Sequence, residues 1–128
     1  MSAKVQYRRI NLEINLKHLK YNFAQIKQHF KQQKILCVIK NNAYGHGIYE
    51  ISKHLNKADY FGVADITEAM SLRNQGISTA LVVMGGIWTY DDFVYGANQN
   101  IAFIVYEKYQ LEIIKKYEKN TAKQYSIW

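Results

Sequence analysis

The chain has 128 residues, of which 48% are hydrophobic and 21% charged, with a formal net charge of +7. That is the size of one small domain and the balance of a soluble globular protein with a core, which excludes a disordered chain. The single cysteine, Cys37, excludes a disulfide scaffold and a cysteine-only zinc site, and no apolar run reaches the roughly 18 residues of a membrane span.

Leu16, Leu19, Phe23, Ile26 and Phe30 step by three and four, which predicts an amphipathic helix with Asn15 at its N-cap. Residues 34–40 form a short apolar run, as in a strand buried on both faces. Residues 41–47 read as a glycine-containing loop, after which Ile48, Ile51 and Leu55 resume helical spacing. Residues 60–64 are strand-like. Asp65 with Glu68 predicts a capping box for a helix carrying Ile66, Ala69, Met70 and Arg73, and Gly76 is its C′ stop. Residues 80–84 predict a third strand ended by Gly85 and Gly86, residues 91–99 a helix, and residues 101–105 a fourth strand. Leu111, Ile114 and Tyr117 mark a last helix, with Glu112 and Lys116 spaced for an i,i+4 ion pair. Residues 125–128 open a fifth strand.

Four strand–helix units in succession predict an α/β fold with a parallel sheet and right-handed crossovers. Two architectures satisfy the pattern: an open doubly wound sheet, or part of a TIM-type (β/α)8 barrel. A complete barrel needs about 200–250 residues, so this chain would supply about half of one. Alternation of side chains along the strands places Val38, Lys40, Val82 and Met84 on one face. It places Cys37, Ile39, Leu81 and Val83 against the helices.

All but Arg8, Arg9 and Arg73 of the 17 basic residues are lysine, and they are dispersed rather than clustered. They read as solvated helix faces; a basic binding module is the competing reading, and charge is its only support. The 11 tyrosines form no stacking platform for single-stranded nucleic acid, and none is expected as a partner. The polar, basic start of the chain has no apolar stretch of a secretory signal, and a cytoplasmic location is expected.

Lys40 carries the most chemical information. It ends an apolar strand and precedes Asn41-Asn42-Ala43-Tyr44-Gly45-His46-Gly47. In β/α folds the site lies at the C-terminal ends of the strands. A lysine there is either a side chain reaching to solvent or a partly desolvated amine. Desolvation favours the neutral form, which attacks a carbonyl, as a Schiff base with an aldehyde cofactor requires. Tyr44 lies on the same rim with a hydroxyl able to donate to a phosphate. Gly45 and Gly47 let backbone N–H groups approach an anion near the start of the next helix. His46 reads as structural within the loop, and Cys37 as core filler.

The segment from Cys37 to Gly47 resembles the pyridoxal-phosphate attachment signature of the alanine racemase family. Residues 11–22, with their strand and first helix, residues 68–77 and residues 82–86 are similar to further segments of that family. At Asn41 the family more often has alanine. The resemblance implies the N-terminal half of a pyridoxal 5′-phosphate-binding barrel, as a single partial domain over residues 1–128, with the family's C-terminal β-domain absent. It implies that Lys40 is the catalytic and cofactor-linking lysine, and that Tyr44 binds the cofactor phosphate without taking a proton from substrate. It also implies a homodimer acting on alanine, with no membrane partner and no metal. A second base and a carboxylate-binding arginine come from family segments not represented here. The related barrel proteins that carry pyridoxal phosphate without catalysis usually lack the continuation from Ala43 to Gly47.

Overall fold

A computed structural model describes residues 12–128. Four parallel strands, β1 (Leu36–Val38), β2 (Tyr60–Val63), β3 (Ala80–Val83) and β4 (Ile101–Phe103), lie side by side in chain order. The helices are α1 (Leu16–His29), α3 (Ile48–His54), α4 (Ile66–Asn74), α5 (Tyr90–Asn98) and α6 (Lys108–Asn120), with a one-turn segment, α2 (Lys40–Tyr44), after β1. The strand order decides between the two architectures. A doubly wound sheet reverses its order at a switch point, whereas a barrel adds each strand beside the last. The order β1-β2-β3-β4 is of the barrel type. A parallel bridge from Phe103 to Ile127 begins a fifth position, with Trp128 N–H donating to Phe103 O at 2.9 Å.

One face of the sheet carries the core. Ile39, Phe61, Val63, Leu81, Val83 and Phe103 pack against Ile51, Leu55, Ala69, Leu72, Phe93 and Ile114 of the helices, and Cys37 packs against the same cluster. The other face carries Leu36, Val38, Gly62 and Met84. A Cβ placed on Gly62 would lie 2.9 Å from Met84 Sδ, 3.1 Å from Leu36 Cδ2 and 3.5 Å from Val38 Cγ2. Val82 is buried but stands outside the helix-side cluster. The separation of Val38, Val82 and Met84 from Cys37, Ile39, Leu81 and Val83 therefore follows the alternation of the strands, whereas Lys40, expected on the face of Val38, lies past the end of β1 in α2, where the extended run and its alternation have stopped.

Four sequence expectations need correction. The first strand is not buried on both faces, because no helix among the described residues covers the face carrying Val38, which is 38% exposed. Met70 points outward on α4, where Leu72 takes the core position. Glu112 pairs with Lys115 at 2.8 Å, one residue nearer than expected, while the Lys116 ammonium lies 4.2 Å from the Tyr90 ring centroid. The stretch ahead of α1 that was expected to be a strand has no regular structure over residues 12–15, and residue 11 lies outside the described residues.

The N-cap of α1 and the glycine stop of α4 follow the sequence. Asn15 Oδ1 accepts from Lys17 N and His18 N, each at 3.1 Å. At the end of α4, Gly76 N donates to Arg73 O and Ile77 N to Leu72 O, each at 3.0 Å, with Gly76 at φ +82°. This is the left-handed stop that glycine adopts without strain. The Arg73 guanidinium donates to the carbonyls of Ile77, Thr79, Gln99 and Asn100 at 2.7–3.2 Å. It ties together the loops that enter β3 and β4, away from the C-terminal ends of the strands, and its role is structural.

Candidate functional site

The C-terminal end of β1 is built from a conflict between chirality and packing. Ile39 N donates to Gly62 O at 2.8 Å, extending the ladder by one residue, and Ile39 is buried against the helices. Its ψ of 18° then ends the extended run. The four residues after Lys40 turn the opposite way from an ordinary helix: Asn41 (φ 54°), Asn42 (φ 55°), Ala43 (φ 52°) and Tyr44 (φ 53°) are all left-handed. The sequence predicted a loop here, and the structure makes it one turn of left-handed helix. Left-handed helical geometry costs L-residues roughly 1–2 kcal/mol each, least for asparagine, whose short polar side chain bonds locally.

The turn persists because its surroundings over-determine it. Ala43 N donates to Ile39 O at 2.8 Å, Gly45 N to Asn41 O at 3.1 Å, and Gly47 N to Asn42 O at 3.0 Å. Asn42 Oδ1 accepts from Ile48 N at 2.9 Å, and the Ala43 methyl is buried in the core. His46 Nδ1 donates to Ala43 O at 2.8 Å; since a carbonyl only accepts, Nδ1 carries the proton. His46 is thus a structural tie, as its place in the loop suggested.

Glu68 is the residue that sequence reasoning assigned differently. The Asp65 half of the capping box forms, Oδ1 accepting from Thr67 N at 2.9 Å and Glu68 N at 3.0 Å. The Glu68 half does not return to Asp65 N–H. Its Oε2 accepts from Ala64 N at 2.8 Å and its Oε1 from Asn42 N at 2.9 Å, so one carboxylate joins the end of β2 to the left-handed turn. The signal available in the sequence was the Asn41-Asn42 pair, the residue type that best tolerates left-handed geometry outside glycine.

Lys40 is half-buried at the head of this turn, and no acceptor among the described residues engages its ammonium. Tyr44 is 59% exposed, and its hydroxyl has no hydrogen-bond partner among the described residues. A Cβ at Gly45 or Gly47 would meet nothing within 4 Å, so open space lies beside both backbones. An amine, a phenol and accessible main chain form a donor set that fits an aldehyde bearing a phosphate. Cys37 does not join them. It lies on the helix side, and burial, reinforced by the Asp59 carboxylate, pushes its thiol above the ordinary range, opposite to what a nucleophile needs. No group of three or more metal-ligating side chains occurs among the described residues. No helix among them is long and apolar enough to cross a membrane. A cleft of about 530 Å³ between α1 and the α3–β2 loop, lined by Phe23, Lys27 and His54, lies apart from this turn.

Fold and site together define an α/β protein of the barrel type, with its candidate chemistry at the C-terminal end of the first strand. The family model described as alanine racemase, N-terminal domain, matches residues 14–128. The chain belongs to that family. It is 35% identical over 103 residues to the alanine racemase of Hamiltonella defensa, covering 80% of this chain and 29% of the relative. It is 35% identical over 108 residues to that of Vibrio cholerae, covering 84% and 30%. Among solved structures, alanine racemase from Acinetobacter baumannii superposes with a TM-score of 0.82 at 28% identity, over 90% of this chain and 34% of that one. Alanine racemase from Clostridium difficile 630 in complex with cycloserine gives 0.76 at 30% identity, over 93% and 34%. The chain spans about a third of the length of these relatives.

Proposed function

We propose that this chain supplies the cofactor-linking part of a pyridoxal 5′-phosphate-dependent racemase that interconverts L-alanine and D-alanine. The observation that carries the reading is the placement of Lys40, two residues past β1 at the end of the sheet where barrel sites form, in a chain of this family. The cofactor, when bound, supplies an electron sink for the carbanion left by loss of the α-proton. Lys40 would hold the cofactor and would take or return a proton on one face of the α-carbon. The Tyr44 hydroxyl donates to the phosphate. Racemisation needs a second base on the opposite face, since one group must remove the proton and another replace it. That base, and the residue receiving the substrate carboxylate, are expected from family segments beyond the third represented here, in a homodimer. The cytoplasm, and supply of D-alanine for peptidoglycan, are the setting in which such an enzyme works.

With a base on one face only, this chain alone should exchange the α-proton of one alanine enantiomer and not invert it. Losing one proton-transfer group lowers turnover by about 10²–10⁴-fold. The test supplies the purified chain with pyridoxal phosphate and each enantiomer in deuterated water, following deuterium at Cα and D-alanine by a coupled D-amino-acid oxidase assay. Exchange of a single enantiomer above the cofactor-only blank, lost in Lys40→Ala, is expected. Exchange no faster than the blank, or rapid racemisation by this chain alone, contradicts the proposal.

A further inference from the structure

We infer that Glu68 is a positioning residue for the cofactor site, holding the left-handed turn so that Lys40 and Tyr44 keep a fixed aim. The inference rests on the reading of Lys40 and Tyr44 given above.

The carboxylate accepts two backbone N–H groups from separate β/α units, Asn42 at 2.9 Å and Ala64 at 2.8 Å. Each oxygen takes one. Most hydrogen bonds at the turn are local, running among residues 39–48, and none of these fixes the turn relative to the neighbouring strand. Among the described residues, Glu68 provides the only side-chain hydrogen bond from another unit to α2. Its own position is stiff. Asp65 caps the start of α4, and Ile66 and Ala69, on either side of Glu68, anchor that first turn in the core. Core packing is thereby transmitted through one carboxylate to a strained turn.

That arrangement matters because of what the turn carries. Consecutive left-handed L-residues persist only where neighbours over-determine them. Lys40 stands before the strained run and Tyr44 ends it, so a shift of the turn moves both groups together. Displacement of a reacting group by about 1 Å can reduce its effectiveness about 100-fold. A helix cap alone would not need the contact to Asn42, since Asp65 already satisfies the N–H groups of Thr67 and Glu68.

The experiment compares Glu68→Ala, Glu68→Gln and Leu72→Ala with the unsubstituted chain. Leu72→Ala opens the core on the same helix without touching the turn. Each protein is treated with pyridoxal phosphate and borohydride, and the label is mapped across all lysines. Amide hydrogen exchange is followed at residues 41–47, and Tm is recorded. The expected result is an approximately tenfold loss of preference for Lys40 in Glu68→Ala, with faster exchange at Asn42. Glu68→Gln, which keeps one acceptor, should fall between, and it decides the matter alone if the alanine variant does not fold. Leu72→Ala should lower Tm at least as far while keeping the preference. Unchanged preference in the Glu68 variants, or an equal loss in Leu72→Ala, overturns the positioning role and leaves the cofactor reading standing. No preference for Lys40 in the unsubstituted chain overturns the cofactor reading itself, and this inference with it.

Discussion

The turns after β1 and after β3 solve the same problem with different residues. Each ends a parallel strand and bends the chain toward a helix through left-handed backbone. After β3 the work falls to glycine. Gly86 has φ +81°, and a Cβ there would collide with Gln110 Nε2 and the Tyr106 ring. Gln110 is fully buried, its Oε1 accepting from Tyr106 N and Glu107 N at 2.9 and 3.1 Å. After β1 the chain keeps four side-chain-bearing residues in the same region of backbone space. Asn42 caps Ile48, Ala43 fills the core, and Tyr44 presents a hydroxyl to solvent. Where only shape is required, glycine is the cheaper residue. Retaining strained L-residues implies that their side chains serve a purpose, and for exposed Tyr44 that purpose is not packing.

Substitutions test this contrast directly. Gly86→Ala should be the most damaging to stability, by roughly 2–4 kcal/mol in urea unfolding, because strain and collision act together. A loss below about 0.5 kcal/mol would show that the β3 turn tolerates a side chain as the β1 turn does. Tyr44→Phe should leave stability unchanged and weaken pyridoxal phosphate binding by roughly 1.5–3 kcal/mol, one hydrogen bond to a charged group, read by absorbance titration. Unaltered affinity removes the proposed role of the hydroxyl. Tyr44→Gly should move the two properties in opposite directions. Relief of left-handed strain exceeds the added entropy of glycine by about 0.5–1 kcal/mol, so Tm should rise while binding weakens.

Acid supplies the smallest and most local perturbation. A backbone hydrogen bond from Ile35 holds the Asp59 carboxyl below its ordinary value, and the Thr67 hydroxyl does the same for Asp65. A depressed folded-state value means that the unfolded chain binds the proton first. The stabilisation is therefore complete above about pH 4 and is lost as pH falls through the lower folded values. Both carboxylates belong to the β1–β2–α4 region, so hydrogen exchange below about pH 4 should accelerate at residues 41–47 before residues 85–87. Simultaneous loosening would show that the two turns share one cooperative unit, and Asp59→Asn should flatten the acid slope of Tm.

Much of this contrast was legible in the sequence, and the parts that were not have a common cause. Apolar runs spaced by helical stripes placed β1 to β4 and their helices, since burial on one face imposes those periods. Lys40 and Tyr44 were singled out by a lysine near a strand end and by the resemblance of the segment from Cys37 to Gly47 to the family's signature. The handedness of residues 41–44 was hidden, because glycine-poor segments are not ordinarily expected to turn left. Glu68 was hidden because its two acceptors were assigned to the nearest helix terminus, and no local rule connects residue 68 to residue 42. The exposed face of β1 was read as buried because an apolar run does not record which of its neighbours are present.

The central claim is that the β1 turn presents Lys40 to an aldehyde cofactor. The most direct measurement is borohydride reduction of the chain with substoichiometric pyridoxal phosphate, followed by peptide mapping, beside Lys40→Ala. Label concentrated on Lys40, with the visible absorbance of the Schiff base before reduction lost in Lys40→Ala, is the predicted result. Label spread over the exposed lysines of α1 and α6, with Lys40→Ala taking up as much as the unsubstituted chain, would contradict it.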